Sequence, residues 1–204
     1  LCDALQSETY HGASQVLILS ASSKTAIGVA QGLADDKNSP TIIAVTSRAN
    51  HDFVASLSCY DEIICYDQLG DIDASKATVM VDMAGHRAVL GAIHEALGDN
   101  MLSGISVGMT QWETLSDNDP LAAKINRQRS SFFFAPAHVQ KRVGDWGQEG
   151  FSQQAGAFTR AREQQSKDWM TVETVPDFTA FAEVYADVVA GIMNPNEGLI
   201  VLPK

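Results

Sequence analysis

The sequence alternates short, continuous apolar runs with longer amphipathic stretches, and this alternation restricts the possible folds more than any other feature. The apolar runs lie at 16–19, 41–46, 62–66, 78–83 and 105–108, and the amphipathic stretches lie at 24–34, 50–57 and 86–97. A strand that is buried on both faces is apolar throughout, which is typical of a parallel sheet with helices on both sides. Because crossover connections are right-handed, this order predicts an α/β fold with a doubly wound, Rossmann-like parallel sheet.

The last third of the chain is less regular but carries further elements. We expect helices at 121–128, 136–143 and 151–167, and strands at 132–134, 169–175 and 199–202. Asp177 is a suitable N-cap for one more helix, because its carboxylate can accept from the free amides of the first turn. The apolar face of that helix comprises Phe178, Phe181, Val184, Tyr185, Val188 and Ile192.

The composition excludes several classes of function. With a net charge of −11 and a pI of about 4.7, the chain lacks the basic balance of a nucleic-acid binder. It contains no apolar run of membrane-spanning length, so we expect no membrane partner. The three cysteines, Cys2, Cys59 and Cys65, form no C-x-x-C pair, which favours a reducing, cytoplasmic location over a disulfide framework. Because Leu1 already begins a helical pattern, we expect the chain to be part of a longer protein.

The segment 16–28 is the most informative motif. A buried strand runs into a loop of small residues, Ser20 to Ser23, and then into a helix that begins near Lys24. Loop amides and a helix N-terminus together bind phosphate at this position in α/β sheets. The loop lacks the usual glycines, and Gly28 is expected to let the helix pack closely on its strand. A strand, loop and helix without any ligand remains the alternative.

The residues after the second strand bear on the choice of cofactor. Sites that prefer NAD place an acidic residue there to hold the ribose hydroxyls, whereas this chain has Ser47 and Arg48. A hydroxyl and a guanidinium suit the 2′-phosphate of NADP. An ordinary solvated surface arginine is the alternative.

These motifs, in this order, resemble the cofactor domain of the medium-chain dehydrogenase/reductase superfamily, with its quinone-oxidoreductase-like branch most similar. The resemblance is carried by Val-Leu-Ile-Leu-Ser-Ala-Ser-Ser-Lys-Thr-Ala-Ile-Gly, Ala-Val-Thr-Ser-Arg, Cys-Tyr-Asp-Glu-Ile-Ile-Cys-Tyr, Val-Asp-Met-Ala-Gly and Ser-Val-Gly. The serine-rich loop and the Phe-Phe-Ala-Pro…Lys-Arg…Asp-Trp-Gly stretch resemble an uncharacterised bacterial group within that superfamily.

The resemblance implies a set of cofactor-binding residues. The loop and first helical turn would cradle the pyrophosphate; these residues are Ser20, Ser22, Ser23, Lys24 and Thr25. Ser47 and Arg48 would hold the 2′-phosphate, and Tyr66 would lie against the same group. The nicotinamide half would lie near Gly85, Gly108, Met109 and Thr110. Serines replace the glycines of the family's loop, and Lys24 has no counterpart role in the family's pattern.

The resemblance also implies a function and a domain organisation. The chain would be the NADP(H)-binding part of a reductase that transfers hydride to a small carbonyl, enone or quinone. Residues 1–168 would form the dinucleotide-binding domain, and residues 169–204 would complete an upstream catalytic domain, so no catalytic residue can be assigned. Residues 132–134 would be an edge strand that pairs in a homodimer; burial of their phenylalanine rings in the core of the monomer is the alternative. A non-catalytic nucleotide-binding or dimerisation module remains the alternative.

Other polar residues give weaker signals. His86 follows Gly85 at the mouth of the expected site, but a single histidine is more often structural. The other histidines show no ligand spacing with the cysteines, so no metal is expected; they are His11, His51, His94 and His138. Lys141, Arg142 and Trp146 are expected on a solvated helix face, with contact to a substrate or a second subunit as the alternative. A G-x-S-x-G elbow and the glycines of a P-loop are both absent, which disfavours a hydrolase and a nucleotide triphosphatase.

Overall fold

The computed structural model describes residues 1–108, 120 and 122–202. The chain divides into two compact units, which we call the sheet unit, Leu1–Gln154, and the tail unit, Ala155–Lys204. The boundary between the two units falls inside one long helical segment. The predicted domain boundary at residue 168 stays a prediction.

The sheet unit is built on six parallel strands. They are β1 (Gln15–Leu19), β2 (Thr41–Thr46), β3 (Glu62–Cys65), β4 (Thr78–Asp82), β5 (Met101–Ser106) and β6 (Ser130–Phe132). Their order in the sheet is β3-β2-β1-β4-β5-β6, and every neighbouring pair is parallel. The chain therefore winds outward from β1 in one direction and from β4 in the other, which confirms the doubly wound, Rossmann-like fold.

Helices flank these strands, and those between β1 and β5 match the predicted amphipathic stretches. They are α1 (Cys2–Ser7), α2 (Lys24–Ala34), α3 (His51–Ser56), α4 (Arg87–Leu97) and α5 (Ala135–Ser166). The hydroxyl of Ser23 caps α2 by accepting from the Ala26 amide. The segment α5 contains both helices expected at 136–143 and 151–167, and Gly147 interrupts it with a φ of 72°.

The core covers both faces of the sheet. Val16 and Ile18 of β1 pack with α1 and α2, for example against Leu33, while Leu17 packs on the opposite face with Ile93 of α4. All five of these side chains are fully buried. Because successive side chains of a strand point to opposite faces, a continuous apolar run buries both sides. This arrangement explains why the runs predicted the sheet.

Four local expectations were wrong. Strand β5 (Met101–Ser106) begins four residues before the predicted run 105–108 and ends two residues before the end of that run. Residues 121–128 do not form one helix; the described part contains two 3-10 turns, Ala122–Lys124 and Arg127–Arg129. Ion pairs rather than an apolar stripe hold these turns, with Lys124 on Glu95 at 2.6 Å. Strand β6 begins and ends two residues before the predicted 132–134. A Cβ at Gly28 would meet no atom within 4 Å, so close packing of α2 does not require that glycine.

The tail unit contains the predicted strand, helix and strand. These are β7 (Thr171–Val175), α6 (Phe178–Ala190) and β8 (Glu197–Val201), and β7 pairs with β8 in parallel. The carboxylate of Asp177 accepts from the Ala180 amide at 2.8 Å, which confirms the predicted N-cap. Among the described residues of this unit, only Val175 is buried.

Candidate functional site

The strand order creates a crevice at one edge of the sheet. Strands β1 and β4 are neighbours, and the connections that leave their carboxyl ends run in opposite directions. Ligands of open α/β sheets bind at such a switch point, outside the carboxyl ends of the strands. The segments that follow β1 to β5 at this edge therefore form the candidate site.

The loop after β1 has a fixed and unusual conformation. Ser20 has a φ of 54°, in the left-handed region that favours glycine. The Ser23 amide donates to the Ser20 carbonyl at 2.8 Å, and the Tyr60 hydroxyl donates to the Ala21 carbonyl at 2.8 Å. Lys24 and Thr25 begin α2 directly afterwards, and both are exposed. The loop thus has a glycine-like turn although it contains no glycine.

Tyr66 reaches this loop from the end of β3. Its hydroxyl accepts from the Ser20 amide at 3.0 Å and lies 3.3 Å from the Ser20 hydroxyl. Ser20 and Tyr66, both predicted from the resemblance as cofactor-binding residues, are therefore in direct contact. Asn50 makes a second link, because its side-chain amide donates to the Ser22 hydroxyl at 2.9 Å.

Arg48 lies at the same edge but already has a partner. It begins the 3-10 turn Arg48–Asn50, directly after Ser47 and strand β2. Its Nε and Nη2 donate to one carboxylate oxygen of Asp67 at 3.1 and 2.7 Å. The Arg48 guanidinium thereby holds the pKa of Asp67 below its ordinary value. Both side chains are largely exposed.

Asp82 organises the loop after β4. It is the last residue of that strand and is buried, and its two carboxylate oxygens accept from the amides of Ala84 and Gly85 at 3.1 and 2.9 Å. Burial raises the pKa of this carboxyl group above its ordinary value. Gly85 has a φ of 77°, so the turn favours glycine there. His86 follows and caps α4, accepting from the Val89 amide at 3.4 Å.

Gly108 follows β5 at the same edge of the sheet, and this position has no room for a side chain. A Cβ at this position would lie 2.5 Å from the carbonyl oxygen of Met83, so the two backbone segments pass in close contact. Gly85 and Gly108 thus belong to a second group of contacts around Asp82 and Met83. The remaining two predicted residues, Met109 and Thr110, lie outside the described residues.

Sequence reasoning missed Asn50, Asp67 and Asp82. Each lies within a few residues of the carboxyl end of a strand, the position where an α/β sheet places its functional groups. That position was the available signal, but nothing in the spacing shows that Asp67 pairs with Arg48 or that Asn50 reaches Ser22.

Arg142, which was expected on a solvated helix face with Lys141 and Trp146, has a different environment. Arg142 is buried rather than solvated, and it pairs with Asp3 of α1 at 2.5 Å and with Asp145 at 2.9 Å. Its guanidinium also stacks over the Trp146 ring, 4.9 Å from the centroid. Lys141 and Trp146 are exposed as predicted, and Lys141 pairs with Asp145. Arg142 therefore joins α1 to α5, which a helical pattern alone cannot reveal.

Within residues 1–108, 120 and 122–202, no three His, Cys, Asp or Glu side chains come together as a metal site would need. Within the same ranges, no helix combines the length and apolarity that crossing a membrane requires. The predictions of no metal and no membrane partner stay predictions.

Comparisons with known proteins agree with the fold. The sequence model of DUF2855, a protein family of unknown function, matches residues 1–194. A search of curated proteins gave no match. A protein from Mesorhizobium loti described as an NADPH:quinone reductase has a TM-score of 0.54 at 16% identity, with 99% of this chain and 56% of that chain covered.

Two other solved structures are similar. A protein from Bacillus thuringiensis described as an NADPH:quinone reductase has a TM-score of 0.57 at 15% identity, with 100% of this chain and 62% of that chain covered. A protein from Rhizobium etli described as a zinc-dependent alcohol dehydrogenase has a TM-score of 0.56 at 12% identity, with the same coverage. The chain thus spans 56 to 62% of the length of these structures. At such identities the likeness confirms the expected resemblance for the fold alone.

Proposed function

The chain belongs to the DUF2855 family of proteins of unknown function, and we propose that its sheet unit is the NADP(H)-binding part of a quinone-oxidoreductase-like reductase. The observation that carries this proposal is the pre-formed loop at Ser20–Ser23 after β1, together with the cation of Arg48 after the neighbouring strand β2. The substrate would be a small carbonyl, enone or quinone.

The residues present fit a dinucleotide with a 2′-phosphate. The left-handed turn at Ser20 leads into the N-terminus of α2, the end of a helix that favours a phosphate group. Arg48 offers a planar fork of donors, which matches phosphate geometry. Ser47 stands where an NAD site would carry an acid. The donor set therefore favours NADP over NAD.

Each group of residues would have a separate task. The loop and first turn of α2, including Lys24 and Thr25, would hold the pyrophosphate, and Tyr66 would lie beside the ribose phosphate. The Asp82 carboxylate would keep Gly85 in its turn near the nicotinamide half. A bound nicotinamide supplies hydride to an activated carbonyl or alkene. The acceptor pocket and any catalytic acid or base would require a second domain.

A non-catalytic nucleotide-binding module is the second candidate, and particular contacts favour it. The Tyr66 hydroxyl already accepts from the Ser20 amide, and the Asp67 carboxylate already accepts from the guanidinium of Arg48. Such internal partners weaken a site that must bind and release cofactor at each turnover. NADPH bound without oxidation by any quinone or enone, also in a longer protein that contains a second domain, would support this candidate.

Calorimetric titration of the chain with NADPH and with NADH tests the proposal. We expect NADPH to bind at least about tenfold more tightly, which corresponds to roughly 1.4 kcal/mol. Arg48→Ala should remove most of this preference, because only the 2′-phosphate distinguishes the two cofactors. Arg160→Ala removes the same charge from the tail unit and should leave the preference unchanged. Equal affinities in the unaltered chain would contradict the assignment.

We also propose a homodimer that pairs through the β6 edge. The rings of Phe132 and Phe134 are 62% and 60% exposed, and β6 is the last strand of its sheet. An open apolar edge favours pairing with another chain. Sedimentation at micromolar concentration should show a dimer that Phe132→Lys dissociates, and a monomer in the unaltered chain would exclude it. We also propose a cytoplasmic location for the protein.

A further inference from the structure

The contact between Arg48 and Asp67 follows from the sheet register. Thr46 of β2 lies opposite Cys65 of β3, so the two strands end side by side. Arg48 is two residues beyond Thr46, and Asp67 is two residues beyond Cys65. The ends of these strands thus bring the cation and the carboxylate to the same point, and they meet there at 2.7 Å.

The position of Asp67 is more restricted than that of an ordinary surface acid. Tyr66, its neighbour in the chain, is fixed by two contacts of its hydroxyl with Ser20. Asp67 also lies in the 3-10 segment Tyr66–Asp71, so its backbone is held on both sides. Because the backbone of Asp67 is already held, forming the ion pair costs less conformational entropy. Both donors of the guanidinium edge converge on one oxygen, Oδ2.

The carboxylate occupies the Nε and Nη2 edge of the guanidinium, one of the edges by which a 2′-phosphate would bind. Carboxylate and phosphate bind the same edge of a guanidinium, by parallel charge-assisted hydrogen bonds. A phosphomonoester carries nearly two negative charges and three acceptor oxygens near neutral pH, so it competes well against a carboxylate. When it does so, Asp67 loses its partner and lies beside a second anion, which opposes binding.

We propose that Asp67 is a specificity-determining residue that competes with the 2′-phosphate for Arg48 and so limits the preference of the site for NADP(H). The inference rests on the proposed function. The 2′-hydroxyl of NAD(H) carries no charge and can donate to the Asp67 carboxylate, so the same residue disfavours one cofactor and accepts the other. Asp67 thus supplies, from the end of β3, the acid that is missing after β2.

The substitution Asp67→Asn tests the inference, because it removes the charge and keeps the size. We expect the dissociation constant for NADPH to fall about threefold to fivefold, the range that exposed ion pairs support. The constant for NADH should stay the same or rise, so the ratio between the two constants moves toward NADPH. The effect should shrink in high salt, which screens exposed charges.

Asp71→Asn is the matched control. Asp71 lies four residues further along the same segment, is exposed and accepts from the Gln68 side chain, so its loss changes the net charge equally. This variant should leave the ratio of the two constants unchanged. Unfolding curves of both variants should coincide with that of the unaltered chain, which separates a change in affinity from a change in folding.

The possible outcomes distinguish the two proposals. If the unaltered chain binds both cofactors and Asp67→Asn leaves both constants unchanged, the competition is excluded while the nucleotide site stands. An equal improvement in Asp71→Asn would show a general charge effect and overturn the inference as well. If neither NADPH nor NADH binds the unaltered chain, the proposed function fails and the inference fails with it.

Discussion

The sheet unit and the tail unit carry similar sequence patterns, but they bury them to very different extents. In the sheet unit, apolar strands and amphipathic helices cover each other, and Leu17 and Ile93 are fully buried. In the tail unit, helix α6 has an equally regular apolar stripe, yet Phe178 is 64% exposed and Tyr185 is 55% exposed. A periodic pattern therefore shows which side chains need cover, but it does not show what covers them.

The difference has an energetic meaning for the tail unit. Each large apolar side chain that stays exposed forgoes roughly 1.5–3 kcal/mol of burial free energy. A two-stranded sheet with one helix also lacks the extent that independent stability usually needs. We propose, as the resemblance to the dehydrogenase/reductase superfamily implies, that residues 169–204 complete an upstream domain, whose surface would cover this stripe.

The largest expected effect compares one substitution in each unit. Leu17→Ala removes a side chain from the centre of the sheet and should lower the free energy of unfolding by about 3 kcal/mol. Ile200→Ala on β8 removes a side chain that is already 50% exposed, and it should cost about 0.5 kcal/mol or less. Urea unfolding measures both values. Similar losses in the two variants would break the comparison.

Limited proteolysis tests the comparison without any substitution. We expect cleavage sites between 169 and 202 to be cut at least about tenfold faster than sites in the sheet unit, because regions with few buried contacts open at low free energy. Mass spectrometry of early fragments identifies the order of cutting. A tail that resists the protease as well as the sheet does would show that its apolar stripe is covered within this chain.

A smaller effect concerns pH, because the sheet unit buries a histidine. His94 is 5% exposed, its Nδ1 has no hydrogen-bond partner among the described residues, and burial followed by the charge of Arg129 lowers its pKa. Because the pKa of His94 is lower in the folded state than in the unfolded state, neutral His94 favours the folded state. This contribution is fully present above the unfolded-state pKa and is lost as the pH falls through the folded-state pKa. Unfolding free energy should therefore fall as the pH is lowered from 7 to 5.

The substitution His94→Leu should flatten this pH dependence, since it removes the titrating group from the interior. His51→Gln alters a partly exposed histidine that lies beside Asp52, and it should keep the slope of the unaltered chain. Urea midpoints at pH 5, 6 and 7 provide the readout. A slope unchanged in His94→Leu would exclude His94 as its cause.

The smallest expected effect concerns the loop of the site. Ser20→Gly removes the left-handed strain but adds freedom to the unfolded chain and loses the hydroxyl contact with Tyr66. These effects should nearly cancel, for a change of about 0.5 kcal/mol or less. Ser20→Val should instead cost about 2 kcal/mol, because a β-branched side chain tolerates a positive φ poorly. Thermal unfolding compares the two, and equal losses would contradict the backbone account.

Much of the sheet unit could be predicted because its signals are local. The runs at 16–19 and 41–46 indicate two buried strands, and right-handed crossovers between such strands favour a doubly wound sheet. The side-chain partners could not be predicted in the same way. The burial of Arg142 depends on Asp3, more than a hundred residues away in sequence. The spacing of residue types along the chain does not show which distant side chains will pair.

In the candidate site, too, local features could be predicted from the sequence and distant side-chain partners could not. The loop at Ser20 and the cation at Arg48 were predictable, because a phosphate site in an α/β fold follows β1 and the 2′-phosphate contact follows β2. The link from Asn50 to Ser22 and the pairing of Arg48 with Asp67 depend on how two loops fold beside each other. The role of Gly108 depends on the path of the Met83 backbone, which no local pattern specifies.

Hydrogen–deuterium exchange with and without NADPH tests the central claim most directly, because it reads both units in one experiment. The account predicts slower exchange in three segments of the sheet unit, 20–26, 47–50 and 66–68, with a weaker change near 84–86. It predicts no change at 171–201 in the tail unit. Exchange that stays the same at 20–26 while NADPH is bound, or protection confined to the tail unit, would contradict the account.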